Sequence, residues 1–237
     1  MAPKVLFILT SCDSYKYGGK DHPTGWYLPE YAHPYEVLAP HTEIVVASPA
    51  GGEAPLDQAS VELFKEDPVS VQVLNTKQST WKNTVPVKSL LGHAKEYEAI
   101  FFVGGHGPMF DLVKDSDSLA LIKEFYSSNK IVAAVCHGPA ALLHAQDSDG
   151  KSLIGSYPVT GFSNTEETQV GVLEQMPFSL EDELNKTSGG HYVKAADPWG
   201  EKVVVARDGR LITGQNPASA KGVGEAIYHG IFGDLTS

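Results

Sequence analysis

Short apolar runs punctuate the chain and end in turn residues. Residues 5–10, 43–48, 99–103, 131–135, 159–161 and 203–206 are rich in Val, Ile and Phe, with little polar alternation. Runs of this length and composition predict strands buried on both faces. Helical patterns lie between several of them. In 118–127, Leu119, Leu121, Ile122 and Phe125 recur at mixed three- and four-residue spacings, which predicts an amphipathic helix. Residues 137–145 and 218–231 also read as helices, and another opens near Glu30. Strands alternating with helices predict βαβ units, a mostly parallel sheet and helices on both faces.

The rhythm breaks over 49–94, which holds Gly51, Gly52, Pro55, Pro68, Pro86 and a lone Trp81. This predicts a small inserted cap of short helices and loops over one end of the sheet, within a single domain spanning 1–237. Ligand clefts of open α/β sheets lie at the carboxyl ends of the strands, so the cap is a candidate lid.

Composition narrows the function. Among 237 residues, 42% are hydrophobic and 20% charged, an ordinary globular balance. Eighteen Lys and Arg against 29 Asp and Glu leave a net charge of −11, which disfavours nucleic-acid partners. The longest apolar runs cover about five residues, against the roughly twenty of a membrane helix, so no membrane partner is expected. The run after Lys4 is shorter than the about 7–15 residues of a secretory h-region. Cys12 and Cys136 are the two cysteines, too few for a disulfide framework. A reducing, cytoplasmic setting is the default.

Cys136 carries the main chemical signal. It ends the apolar run Ile131-Val-Ala-Ala-Val135 and precedes His137-Gly138-Pro139. A strand, an abrupt turn and a helix would present its thiol as on a nucleophile elbow. A helix N-terminus there would favour the thiolate and lower the thiol pKa. Cys12 has no such context and reads as a loop or pocket-edge residue. Gly104-Gly105-His106-Gly107 also leaves a buried run, and such turns can aim backbone N–H groups at an oxyanion. It lacks phosphate-loop spacing. His106 is a candidate either for the pocket lining or for holding the turn. Glu30, in Trp26-Tyr27-Leu28-Pro29-Glu30, is either a helix-start dipole partner or a protonated carboxyl that shuttles protons near the thiol. Trp26, Tyr27, Phe162 and Trp199 are candidate pocket walls, although aromatic residues serve cores more often than sites. No strong metal-ligand cluster stands out.

Together, Ala134-Val135-Cys136-His137-Gly138-Pro139, Gly104-Gly105-His106-Gly107 and Pro29-Glu30 resemble the ThiJ/PfpI superfamily. Thr160-Gly161-Phe162, Pro198-Trp199 and the run from Asp208 to Ser219 add to the likeness. It extends in order from Val5 to about Ile227. The branch it most resembles is the glutathione-independent glyoxalases, also described as stress-induced, chaperone-like proteins. That resemblance implies a flavodoxin-like three-layer sandwich and a homodimer. It implies Cys136 as nucleophile, Glu30 as the carboxyl that moves protons, and His137 completing a Cys-His-acid set. Backbone N–H groups of Gly105 and His137 would form the oxyanion site. Related fungal proteins read Asp-x-Gly-Glu after the aromatic residue, where this chain has Asn164-Thr165-Glu166-Glu167. Glu167 takes the acid's place and Glu166 replaces a glycine, so both are candidates for the third member.

The resemblance points to a lyase that converts methylglyoxal and water to D-lactate in methylglyoxal detoxification and the stress response. It implies a small 2-oxoaldehyde substrate and no metal or organic cofactor. The alternatives are a protein or nucleotide deglycase using the same thiol, and a holdase chaperone that binds misfolded client proteins. A cysteine peptidase and a redox sensor are further uses of such a thiol.

Overall fold

The computed structural model describes residues 2–233. Strand β1 (Lys4–Ile8) is followed by the hairpin of β2 (Ser14–Tyr17) and β3 (Lys20–Pro23). Helix α1 (Leu28–Leu38) leads to β4 (Glu43–Ser48). Three short helices follow, α2 (Gln58–Leu63), α3 (Pro68–Thr76) and α4 (Gln78–Lys82), and then β5 (Val85–Pro86). The chain continues through β6 (Ala99–Phe102), α5 (Ser116–Ser127) and β7 (Ile131–Val135). It ends with α6 (Asn164–Val170), α7 (Leu180–Thr187), β8 (Val203–Ala206), β9 (Leu211–Gly214) and α8 (Ala220–Phe232).

Among the described residues, seven strands form one sheet in the order β5-β4-β1-β6-β7-β9-β8. Every pair is parallel except β8 with β9. The fold is a flavodoxin-like α/β sandwich with a mostly parallel sheet. Every residue of β6, β7 and β9 is buried. With helices covering the sheet these strands have no wet face, which is why their sequences run apolar without alternation.

The packing of α1 on the sheet centre positions the site. Phe7 on β1 pairs in register with Phe101 on β6, their rings edge to face at 5.0 Å. Tyr31 of α1 sits on Phe7 at 5.6 Å and on Trp26 at 5.2 Å. No side chain of its own caps α1. Instead the Ser60 hydroxyl on α2 accepts from Leu28 N–H at 3.0 Å.

Several elements differ from the sequence reading. Residues 159–161 form no strand but a single bridge, Val159 with Tyr192. Thr160 N–H donates to the Thr213 hydroxyl rather than to a ladder carbonyl. Strand β9 is an addition to the predicted elements, and it follows a tight reversal through Arg207, Asp208 and Gly209, all at positive φ. Residues 137–145 do not build an α-helix. They hold only a short 3₁₀ run, Gly138–Leu142, with all five residues buried, so no polar face exists for an amphipathic helix. The 49–94 segment adds β5 beside β4 at the sheet edge. Its Asp67 caps α3 and pairs with His33 of α1 at 2.9 Å. Among the described residues, no helix is long and apolar enough to cross a membrane.

Phe7 joins the sheet centre to α1, so Phe7→Ala should lower unfolding free energy by about 3–5 kcal/mol. Urea denaturation of the two proteins measures the loss.

Candidate active site

β6 and β7 are adjacent and parallel, so the loops after them leave the same end of the sheet. Cys136 follows β7 directly. Its backbone is left-handed, at φ 60°, a conformation that strains a non-glycine residue and that structures keep where surroundings enforce it. Two backbone bonds enforce it here. Cys136 N–H donates to Gly214 O at 2.9 Å, and Phe162 N–H donates to Cys136 O at 2.9 Å. The turn lets neighbours in sequence face one another: His137 Nδ1 lies 3.3 Å from Cys136 Sγ.

His137 Nε2 lies 2.6 Å from Glu167 Oε2, and His106 Nε2 lies 2.7 Å from Glu167 Oε1. With ionised Glu167 as acceptor, both Nε2 atoms donate, leaving His137 Nδ1 as an acceptor facing the sulfur. Burial disfavours the Glu167 charge, but the attraction and hydrogen bonds of the two imidazoles hold its carboxyl well below the ordinary value. Burial lowers the His137 pKa, against the pull of Glu167, and favours neutral imidazole. Glu166 has a different task. It completes a capping box with Ser163 and accepts from Gln215, Asn216 and the Trp199 backbone N–H. Only Glu167 of the two meets His137, while Glu166 ties the loops together.

Glu30, on the first turn of α1, is fully buried. Neither carboxyl oxygen has a partner at full hydrogen-bond geometry. The Cys136 side chain and the Gly104 N–H act on it without reaching that geometry. Burial therefore pushes the Glu30 pKa well above its ordinary value. The approach requires glycine at 104. A Cβ there would collide with Glu30 Oε2 and lie 2.8 Å from the Cys136 Cβ.

The thiol departs from the sequence expectation. Burial first, and then the neighbouring Glu30 carboxylate, push the Cys136 pKa up rather than down. The 3₁₀ run after it supplies no α-helix N-terminus, and the Cys136 N–H is already bonded to Gly214. The Cys136 thiol as a donor favours the ionised Glu30 carboxyl, while that charge disfavours the thiolate.

Among the described residues, neither Gly105 N–H nor His137 N–H has a protein acceptor, and both residues line the cavity. Gly105 sits at φ 97°, a conformation that suits glycine.

The cavity holds 1160 Å³, and its wall includes Glu30, Gly105, His106, Cys136, His137, Phe162 and Trp199. Trp26 is a correction. It does not line this cavity, and its indole is fully buried, donating to Ala54 O at 3.1 Å and touching Trp81. Tyr27, next along the chain, lines the cavity instead. Cys12 lies outside the lining, its sulfur 3.2 Å from Ser14 O. Tyr15, Leu63 and Phe64 line the cavity without having been singled out. They come from the hairpin and the cap, where no local motif marks them. His106, His137 and Glu167 also bring three ligating atoms within 4.8 Å, a convergence hidden by their separation in sequence.

Comparison with known proteins gives a consistent picture. Residues 28–229 match the DJ-1/PfpI family. The chain is similar to a glutathione-independent glyoxalase, HSP31 of Saccharomyces cerevisiae, at 32% identity over 229 residues, covering 93% of this chain and 94% of the relative. It superposes on the crystal structure of glyoxalase III from Candida albicans with a TM-score of 0.81 at 29% identity, covering 96% and 97% of the two chains. The Rapid Encystment Protein of Francisella tularensis gives a TM-score of 0.86 at 35% identity, covering 97% and 99%.

The buried carboxyl makes a pH-dependent prediction. A Glu30 pKa raised above its unfolded value means that the native state binds the extra proton. Stability should then fall as pH rises from about 4.3, the ordinary glutamate value, toward the raised native value. Glu30→Gln removes this loss. Its stability advantage over the wild type in urea unfolding should widen from pH 4.5 to pH 8, and a constant difference would contradict the assignment.

Proposed function

As this chain belongs to the DJ-1/PfpI family, we propose that it is a glutathione-independent glyoxalase, a cofactor-independent lyase converting methylglyoxal and water to D-lactate. The observation that carries this reading is the buried Glu30 carboxyl, with no partner at full hydrogen-bond geometry, lining the same cavity as Cys136. A cysteine hydrolase needs a thiol and an imidazole. An aldehyde isomerisation also needs a group that moves a proton between adjacent carbons, and a carboxyl with a raised pKa suits that task.

The steps use groups already described. The Cys136 thiol gives its proton to His137 Nδ1, 3.3 Å away, and its sulfur adds to the aldehyde carbon. The oxyanion of the resulting hemithioacetal takes the N–H groups of Gly105 and His137. Glu30 acts as the carboxylate, its own proton having passed to solvent before the aldehyde binds. It removes the proton from the former aldehyde carbon while His137 gives the thiol's proton to the ketone oxygen, and the Glu30 carboxyl then protonates the neighbouring carbon of the resulting enediolate. The product of that transfer is a lactoyl thioester. Water attacks the thioester, lactate leaves, and the thiol is restored. Glu167 orients His137 through the 2.6 Å bond to Nε2. His106 shares the same carboxylate.

Turnover of methylglyoxal without glutathione, with chiral detection of lactate, tests the proposal. The wild type should yield D-lactate. Cys136→Ala should abolish the reaction, and Glu30→Gln should slow it by about 10²–10⁴-fold, the usual worth of a general acid–base group. Folded wild-type protein with a reactive thiol and no lactate would overturn the glyoxalase reading.

A further inference from the structure

The cavity is far larger than methylglyoxal requires. At 1160 Å³ it exceeds the about 300–1,000 Å³ typical of sites for drug-sized ligands. We propose, resting on the glyoxalase reading, that the preferred substrate is an arylglyoxal, a 2-oxoaldehyde whose ketone carries a flat aromatic group in place of methyl.

The wall supplies the recognition. Five aromatic rings from separate segments line the cavity: Tyr15, Tyr27, Phe64, Phe162 and Trp199. Phe162 lies 4.5 Å from the His137 ring and 5.5 Å from Trp199, so aromatic surface runs outward from the reacting centre. Tyr27 and Phe64 meet edge to face at 5.9 Å. Ring faces and edges of this kind favour a planar aromatic guest over a bare methyl group. Leu63, Val170 and Trp199 also line the cavity and are 71%, 45% and 43% exposed. Such apolar surface left open to water gains when an apolar substituent covers it.

The charges exclude other large aldehydes. Among the described residues, Lys221 is the one Lys or Arg in the lining. Asp57 and Asp67 also line it, but Asp57 caps α2 and Asp67 caps α3 and pairs with His33. Among the described residues, the lining brings no cluster of Lys and Arg together for a phosphate or a second carboxylate. The chemistry is that of methylglyoxal. The sulfur adds to the aldehyde carbon, the hydrogen of that carbon moves as a proton to its neighbour, and water cleaves the thioester. The product is a 2-aryl-2-hydroxyacetate, and no oxidant or reductant is needed. Neither Arg207 nor Arg210 lines the cavity, so guanidinium modification by an arylglyoxal would fall outside it.

Steady-state kinetics with phenylglyoxal and methylglyoxal, on the wild type, Phe64→Leu and Leu63→Ser, provide the test. The wild type should show kcat/KM for phenylglyoxal at least about tenfold above that for methylglyoxal, the scale set by apolar pocket contacts. Each variant should lower that ratio severalfold. A wild-type ratio at or below one, or an unchanged ratio in both variants, would overturn the inference while leaving methylglyoxal turnover to support the glyoxalase reading. Failure of the folded wild type to turn over either aldehyde would overturn both.

Discussion

A left-handed backbone at a residue with a side chain costs on the order of 1–3 kcal/mol, and Cys136 is held there by two fixed backbone bonds, one to the end of β9 and one to the loop at Phe162. Its N–H is committed to Gly214 and its carbonyl to Phe162. β7, fully buried and paired on both sides, stops where the turn begins. The turn then places the thiol against the His137 ring and leaves the backbone N–H of His137 without a protein acceptor among the described residues. Relaxing that one φ angle would separate the thiol from the imidazole and from the candidate oxyanion donors together.

Glu30 is the second constraint, and it opposes stability. A carboxyl with no full hydrogen bond in a buried site is costly, and proteins keep such groups where chemistry uses them. The surrounding structure holds it in place from behind. Tyr31 packs on Phe7 and Trp26, and its hydroxyl donates to Thr80 in the cap at 2.7 Å. The 49–94 segment therefore does more than line the cavity. It fastens the start of α1, and so the height of Glu30 above the sheet.

The two acidic neighbours Glu166 and Glu167 divide their work by helix geometry. On the first turn of α6 they project about 100° apart. Glu166 turns back to Ser163, Gln215 and Asn216, and Glu167 turns to the histidines. One carboxylate braces three loops, and the other bonds both imidazoles.

The buried strands, the amphipathic α5 and α8, and the strand-to-turn placement of Cys136 were legible in the chain, because burial on both faces and strained turns leave local marks in residue type. Other features left no local mark. The 3₁₀ run at Gly138–Leu142 looked like a helix because its small and apolar residues suit one, and only close packing on every side excluded it. Trp26 and Tyr27 were equal as pocket candidates until their packing put one in the core and the other on the cavity. The direction of the Cys136 pKa was also hidden, since desolvation and the Glu30 charge act through space. Sequence alone determined the fold class and the candidate thiol, carboxyl and imidazole. Tertiary structure decided which acid meets His137, which ring faces the cavity and which way the thiol pKa moves, because each depends on contacts between segments far apart in the chain.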